Sequence, residues 1–143
     1  MQAESLDVVT RYMQAKGMSP EPAHFGDSAF RIGWRVQLND LDLVYRFVDD
    51  SLVVCDLTRR DGLSGSSDAV STFIRLVHQI EHDRIPLREV RGMFFDTASN
   101  AQLNRLRRRL ATVLEAQGAY WREIDGDPWL IYSMRDGIAR TRD

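Results

Sequence analysis

The chain has 143 residues, 43% hydrophobic and 28% charged, which is enough for one domain with its own core. Its net charge of −2 excludes the strong basic excess of general nucleic-acid binders. The single cysteine, Cys55, excludes an internal disulfide and a cysteine-rich metal site, and we expect it to be a small buried apolar residue. We therefore predict one domain over residues 1–143, with a polar tail at 135–143 that frays.

The first residues contain no basic segment followed by an apolar stretch, so no signal peptide is expected. No apolar run approaches the roughly 18 residues needed to cross a membrane. Together these observations predict a cytoplasmic protein without a membrane span.

Residues 5–16 show apolar side chains at helical spacing, which predicts a short helix. Ser5 is the expected N-cap, because its hydroxyl can accept a bond from a free backbone N–H of the first turn. Gly17 is the expected end of the helix, and the prolines that follow predict coil.

Three strand segments come next. Apolar and polar residues alternate in 29–38 and again in 41–47, which predicts two strands with one buried face each. Residues 52–57 are nearly all apolar, as in a central strand covered on both faces. The turns between them are short, so we expect an antiparallel meander.

The second half alternates helices and strands. The predicted elements are a helix at 68–82, a strand at 90–95, a helix from 99 to 117, and a hairpin of strands 120–124 and 129–132. The resulting order, αβββαβαββ, predicts an α+β fold in which helices pack on a mostly antiparallel sheet.

The turn that follows the central strand is the most informative local feature. Glycine and serine residues in front of a helix can offer backbone N–H groups to a phosphate, and Arg59 and Arg60 add positive charge. The spacing of Arg59, Gly62 and Ser64 resembles the pyrophosphate loop of the GNAT acetyltransferases. That resemblance implies a GNAT-like fold and, if acetyl-CoA or another acyl-CoA is bound, a site made of Arg59, Arg60, Gly62, Ser64 and Gly65. An ordinary flexible turn is the alternative interpretation.

The rest of the chain departs from the GNAT pattern. The segment before the first predicted strand is too short for the family's usual strand and two helices. Ala111 and Thr112 stand where the family commonly has a tyrosine as general acid. Tyr120 and Tyr132 are weak substitutes, so no catalytic residue is assigned.

Arg105, Arg108 and Arg109 share one face of the 99–117 helix, because they follow i, i+3, i+4 spacing. They are the candidate partner-binding residues, suited to an acidic protein surface, with a solvated helix face as the alternative. His78 and His82 are spaced to chelate a metal, but no third ligand stands out, so no metal site is predicted. All three tryptophans are expected in the core.

The layout as a whole resembles the LcrR family of type III secretion regulators. The resemblance rests on the helix ending at Gly17, the apolar hairpin from Phe30 to Phe47, Arg59-Arg60 with Gly62-Leu63 before a helix, and the hairpin through Trp129. It implies a non-enzymatic regulator of bacterial secretion and virulence that binds a secretion-apparatus or secreted protein without any cofactor. A homodimer is compatible with it. Two alternatives stay open: a type III secretion chaperone, and a GNAT-like acyl-CoA-binding protein or acyltransferase.

Overall fold

The computed structural model describes residues 6–24, 28–59, 69–93 and 101–134. These ranges form three helices and seven strands: α1 (Val8–Ala15), β1 (Glu21–His24), β2 (Arg31–Leu38), β3 (Leu41–Val48), β4 (Ser51–Arg59), α2 (Ala69–His82), β5 (Glu89–Gly92), α3 (Ala101–Ala116), β6 (Tyr120–Ile124) and β7 (Asp127–Ser133). The strands make one sheet of order β1-β2-β3-β4-β5-β7-β6. Neighbours are antiparallel except for β4 and β5, which are parallel. The predicted α+β class, with helices packed on a mostly antiparallel sheet, is confirmed.

Tight turns set the register of the three hairpins. Asn39, Asp49 and Asp50 have positive φ, as do Asp125 and Gly126 between β6 and β7. Two-residue hairpin turns need this backbone conformation because it matches the twist of the strands, and Asn, Asp and Gly adopt it at low cost. The predicted meander and C-terminal hairpin are therefore correct.

Strand β1 was not predicted. The segment includes Pro22 and was predicted to be coil. In the structure its four residues pair with β2 at the edge of the sheet. An edge strand tolerates proline because one side of its backbone needs no ladder partner. The full order is thus αββββαβαββ, with one helix and one short strand before the long meander.

Helix α1 begins two residues later than a Ser5 cap would give, and Ser5 itself lies outside the described residues. The N-cap is Asp7, whose carboxylate accepts hydrogen bonds from the backbone N and the hydroxyl of Thr10 at 2.8 and 3.0 Å. Its charge also suits the positive end of the helix dipole. Gly17 has φ of +90° beyond the last turn, which confirms the predicted stop.

All three helices lie on one face of the sheet, which we call the helix face. A row of register partners defines it: Trp34, Tyr45, Val54, Gly92, Leu130 and Trp121. Tyr45 bonds to Thr10 of α1 at 2.8 Å, and Trp121 donates to Glu115 of α3 at 2.5 Å. Tyr132, two residues from Leu130 and so on the same face, donates to Glu81 of α2 at 2.9 Å.

The core lies between these helices and the helix face. One cluster of buried side chains joins all three helices to β2, β3, β4, β5 and β7. Its largest fully buried members include Tyr45, Phe73, Ile80, Leu110 and Leu114. Burying such side chains contributes roughly 1.5–3 kcal/mol each, so this layer dominates stability. Of the helices described, none is long and apolar enough to cross a membrane.

Gly33 permits close approach of β2 to β3. Its φ is +155°, and a Cβ at this position would stand 2.2 Å from the carbonyl oxygen of Tyr45. Only glycine fits there, because any other side chain would push the two strands apart.

Candidate functional site

The parallel pair in the centre of the sheet is short. β4 and β5 share four register pairs, from Ser51 opposite Glu89 to Val54 opposite Gly92. β5 then ends, while β4 continues to Arg59 in pairing with β3 alone. Along Cys55–Arg59 the described residues therefore place no strand on the β5 side of β4. We call this opening the strand gap.

A β-bulge marks the start of the strand gap. Tyr45 pairs with Val54 and Val44 pairs with Asp56, so Cys55 is an extra residue without a register partner. A bulge bends its strand and increases the local twist, so the course of β4 changes where its pairing with β5 ends. The gap thus has a local structural cause in β4 as well as the early end of β5.

Cys55 corrects a prediction from sequence. It was expected to be buried in a strand covered on both faces, but the bulge leaves the residue exposed. Its Sγ stays close to the backbone, donating weakly to the carbonyl of Val53 at 3.9 Å. Partial burial of the sulphur raises the pKa of the Cys55 thiol, and nearby Arg46 opposes that shift. A raised pKa reduces the thiolate fraction of Cys55 at neutral pH, which slows its alkylation without preventing it.

The strand gap lies at the carboxyl ends of the parallel strands β4 and β5. Their other neighbours, β3 and β7, are antiparallel to them. In open α/β sheets such a position is where ligands bind, because the connecting turns leave a crevice there. Arg59 ends β4 at this edge. The remaining predicted phosphate ligands, Arg60, Gly62, Ser64 and Gly65, lie outside the described residues, so their role stays a prediction.

A buried carboxylate stands near the N-terminus of α2, at the same end of the sheet. Asp40 lies in the turn between β2 and β3 and is 7% exposed. Its Oδ1 accepts a 2.7 Å hydrogen bond from the hydroxyl of Thr72, in the first described turn of α2. The helix dipole stabilises a negative charge at this position. The same charge lowers the affinity of that helix end for a second anion.

Helix α3 contacts the bulged segment of β4 through Arg107, which was not among the predicted site residues. Arg107 donates to Asp56 at 3.4 Å. It falls outside the i, i+3, i+4 set that was singled out, and no sequence signal marked it. Arg105, Arg108 and Arg109 are exposed on α3, as predicted, and their partner-binding role stays a prediction.

The candidate general acids do not meet at the gap. Tyr132 lies on the helix face and gives its hydroxyl hydrogen to Glu81. Tyr120 is 44% exposed on β6, two strands from β5. On α3, Ala111 is buried and Thr112 is exposed. Within the described ranges, no tyrosine lies on β4 or β5 beside the strand gap.

The histidines are exposed, as expected for surface residues. The ring of His78 bonds to Gln117 at 2.7 Å, which ties α2 to the end of α3. Over the part of the chain that is described, no three His, Cys, Asp or Glu side chains come together as metal ligands. The prediction of three core tryptophans is wrong for Trp121, which is 41% exposed on the edge strand β6. It is also wrong for Trp129, which is half-buried and lies outside the core cluster.

No protein-family model matches the sequence, and no curated protein matches it significantly. A search of solved structures matches the ribosomal-protein-S18-alanine N-acetyltransferase from Escherichia coli, at 14% identity and a TM-score of 0.42, over 100% of this chain and 96% of that one. A TM-score this low assigns no activity by itself. The prediction of a non-enzymatic secretion regulator has no support in any of these comparisons, and it is withdrawn. None of these findings bears on the LcrR resemblance, which stays a prediction.

Proposed function

We propose that this protein binds an acyl-CoA thioester in the strand gap and transfers its acyl group to an amine. The observation that carries the proposal is the end of the β4–β5 pairing at Val54 and Gly92, with the bulge at Cys55. Among the described residues, one side of β4 therefore has backbone groups without a partner strand in the middle of the sheet, whereas such groups normally occur only on its outermost strands.

An extended ligand that carries amide groups can occupy such an edge as an added strand would. Alternate residues of Cys55–Arg59 direct their backbone N–H and C=O groups away from β3. Five strand residues span about 16 Å, a length suited to the pantetheine arm with its two amides. Main-chain hydrogen bonds would hold the arm in register, as in peptide recognition by strand addition.

This orientation puts the two ends of the ligand in different surroundings. The pyrophosphate would lie at the Arg59 end, near the start of α2, and the thioester at the inner end, near Cys55 and Gly92. Acyl-CoA is an intracellular metabolite, so the proposal agrees with the predicted cytoplasmic location.

The chemistry is a simple displacement. A neutral amine nitrogen attacks the thioester carbonyl carbon, the carbon–sulphur bond breaks, and CoA leaves with the bonding electron pair. The nitrogen loses one proton and the sulphur gains one, so the products are an amide and free CoA. Holding the two reactants together supplies much of the rate enhancement for a reaction of this kind.

The single cysteine makes the binding step directly testable. Because Cys55 lies at the inner end of the gap, acetyl-CoA bound there should slow its alkylation by iodoacetamide. ADP, which lacks the pantetheine arm, should not protect it. Alkylation at the same rate with saturating acetyl-CoA and with ADP would refute the proposal.

The Cys55→Ser variant provides the control and the activity assay. It contains no thiol, so any signal from Ellman's reagent comes from released CoA. We expect the variant to bind acetyl-CoA in calorimetry and to release CoA when an accepted amine is added. Binding without release for every amine in a broad panel would leave an acyl-CoA-binding protein and reject the transferase.

A further inference from the structure

We infer that the face of the sheet opposite the helices binds the carboxylate of the acceptor, through Arg46 and Arg91. The inference deepens the proposed function and rests on it, because it identifies the acceptor as a small amine that also carries a carboxylate, of amino-acid size.

A second row of register partners crosses this face beside the strand gap. The row consists of Arg46, Val53, Arg91, Ile131 and Tyr120. Val53 separates the two arginines, so their Cα atoms are about 10 Å apart, two strand spacings. Side chains as long as arginine can converge on one anion across that distance. Val53 and Ile131 are 6% and 1% exposed and give the site an apolar floor.

The positive charge of this row is not fully neutralised. On the same face, Asp42 accepts hydrogen bonds from Nε and one terminal nitrogen of Arg35, at 2.9 and 2.6 Å. Farther along β4, Asp56 is paired with Arg107 of α3. Arg46 is exposed and has no ion pair with any described residue.

Arg91 has an unused donor edge. Its Nη1 makes a loose 3.8 Å ion pair with Glu89, which also accepts a hydrogen bond from Ser51. Its Nε is buried and has no hydrogen-bond partner among the described residues. An unpaired buried donor is unfavourable, and a bound oxygen would supply the hydrogen bond that it lacks.

The Trp129 ring contacts the face of the Arg91 guanidinium and not its N–H edge. The Arg91 guanidinium carbon lies over the Trp129 ring, 5.2 Å from its centroid. Stacking of this kind uses the face of the guanidinium and leaves its N–H groups in the plane. The edge formed by Nε and one terminal nitrogen matches the two oxygens of a carboxylate.

The two arginines lie beside the inner end of the strand gap, where the acyl group is proposed to bind. Arg91 immediately precedes Gly92, the last β5 residue paired with β4, and Arg46 is close enough to Cys55 to influence its thiol. A carboxylate held between the arginines would therefore bring an amine one or two bonds away to the inner end of the gap. An amino acid has this separation of amine and carboxylate, which argues for it over a longer acceptor.

A matched pair of product mimics tests the inference without acyl-CoA. N-acetylglycine and N-acetylglycinamide differ only in the carboxylate. In the ¹⁵N spectrum, we expect millimolar N-acetylglycine to shift the indole N–H of Trp129 and the amide to leave it unchanged. The indoles of Trp34 and Trp121, both on the helix face, serve as internal references.

Variants assign the effect to the arginines. Arg91→Gln and Arg46→Gln should each raise the Kd for N-acetylglycine about tenfold, since each loses an ionic hydrogen bond. Arg35→Gln, an arginine on the same face but already paired, should bind like the parent protein. Arg46 is exposed, so its variant stays informative even if Arg91→Gln fails to fold.

The outcomes separate this inference from the function on which it rests. Equal shifts with the acid and the amide, or shifts that survive both arginine substitutions, would overturn the carboxylate site. If acetyl-CoA still protects Cys55 in that case, the proposed function stands alone. An arginine-dependent N-acetylglycine shift without protection of Cys55 would support the anion site and remove the acyl-CoA function.

Discussion

Replacing Asp40 by asparagine should tighten the binding of acetyl-CoA. The Asp40 carboxylate is bonded to Thr72, three residues beyond Ala69, the first described residue of α2. Three residues rise about 4.5 Å along a helix, so an anion bound ahead of Ala69 lies within about 10 Å of the carboxylate. At that distance and an effective dielectric constant of about 20–40, each pair of like charges costs about 1–2 kcal/mol.

Removing the charge should therefore lower the Kd of acetyl-CoA about five- to thirtyfold. Asparagine keeps an oxygen for the Thr72 hydroxyl, so we expect a loss of only about 1 kcal/mol in the free energy of unfolding. Calorimetric titration at low salt measures the effect, which should shrink as salt screens the repulsion.

Asp50→Asn is the matched control. It makes the same substitution in the turn at the opposite end of β3, where asparagine also accepts the positive φ of +64°. An unchanged Kd in Asp40→Asn, with Cys55 still protected by acetyl-CoA, would show that the pyrophosphate does not bind at the N-terminus of α2.

Three further predictions concern stability. The Tyr12 hydroxyl donates a hydrogen bond to Asp83 at 2.6 Å. Burial and the Asp83 carboxylate raise the pKa of Tyr12. The stabilisation that Tyr12 provides is therefore complete below about pH 10 and is lost as the pH rises above it. The same hydrogen bond lowers the pKa of Asp83, so the stabilisation that Asp83 provides is lost as the pH falls below about 4. The urea midpoint of the parent protein should therefore fall at both high and low pH, and it should fall less steeply in Tyr12→Phe. Tyr45→Phe should cost about 1 kcal/mol in chemical denaturation, because it deletes the buried bond to Thr10, and an unchanged midpoint would contradict that pairing. Gly33→Ala should cost about 2–5 kcal/mol, the sum of backbone strain and steric overlap, and a small loss in thermal unfolding would mean that the two strands separate easily.

Much of the fold could be predicted because its patterns are local. Alternation gave β2 and β3, and Asp125-Gly126 between two apolar runs gave the last hairpin. β1 was missed because its four residues, with Pro22 among them, have no periodicity of their own. Its pairing depends on the register of β2, which no local pattern reveals.

The candidate site was predictable only in part. A glycine-containing turn before a helix drew attention to the end of the sheet where the strand gap lies. The strand gap itself arises from where β5 stops and from one extra residue in β4. A bulge leaves no mark in a run as uniformly apolar as 52–57, so Cys55 was assigned to the interior. Asp40 and Arg107 meet their partners 32 and 51 residues away in sequence, a relation that only the tertiary structure provides.

The four register pairs between β4 and β5 are also the junction between two halves of the sheet. β1 to β4 form one antiparallel ribbon, β5 to β7 form another, and these pairs are the only ladder joining the two among the described residues. Opening this seam widens the crevice while leaving every antiparallel ladder intact. Backbone amides along the seam should therefore exchange with deuterated solvent sooner than those between β2 and β3, and a ligand that spans the seam would slow them.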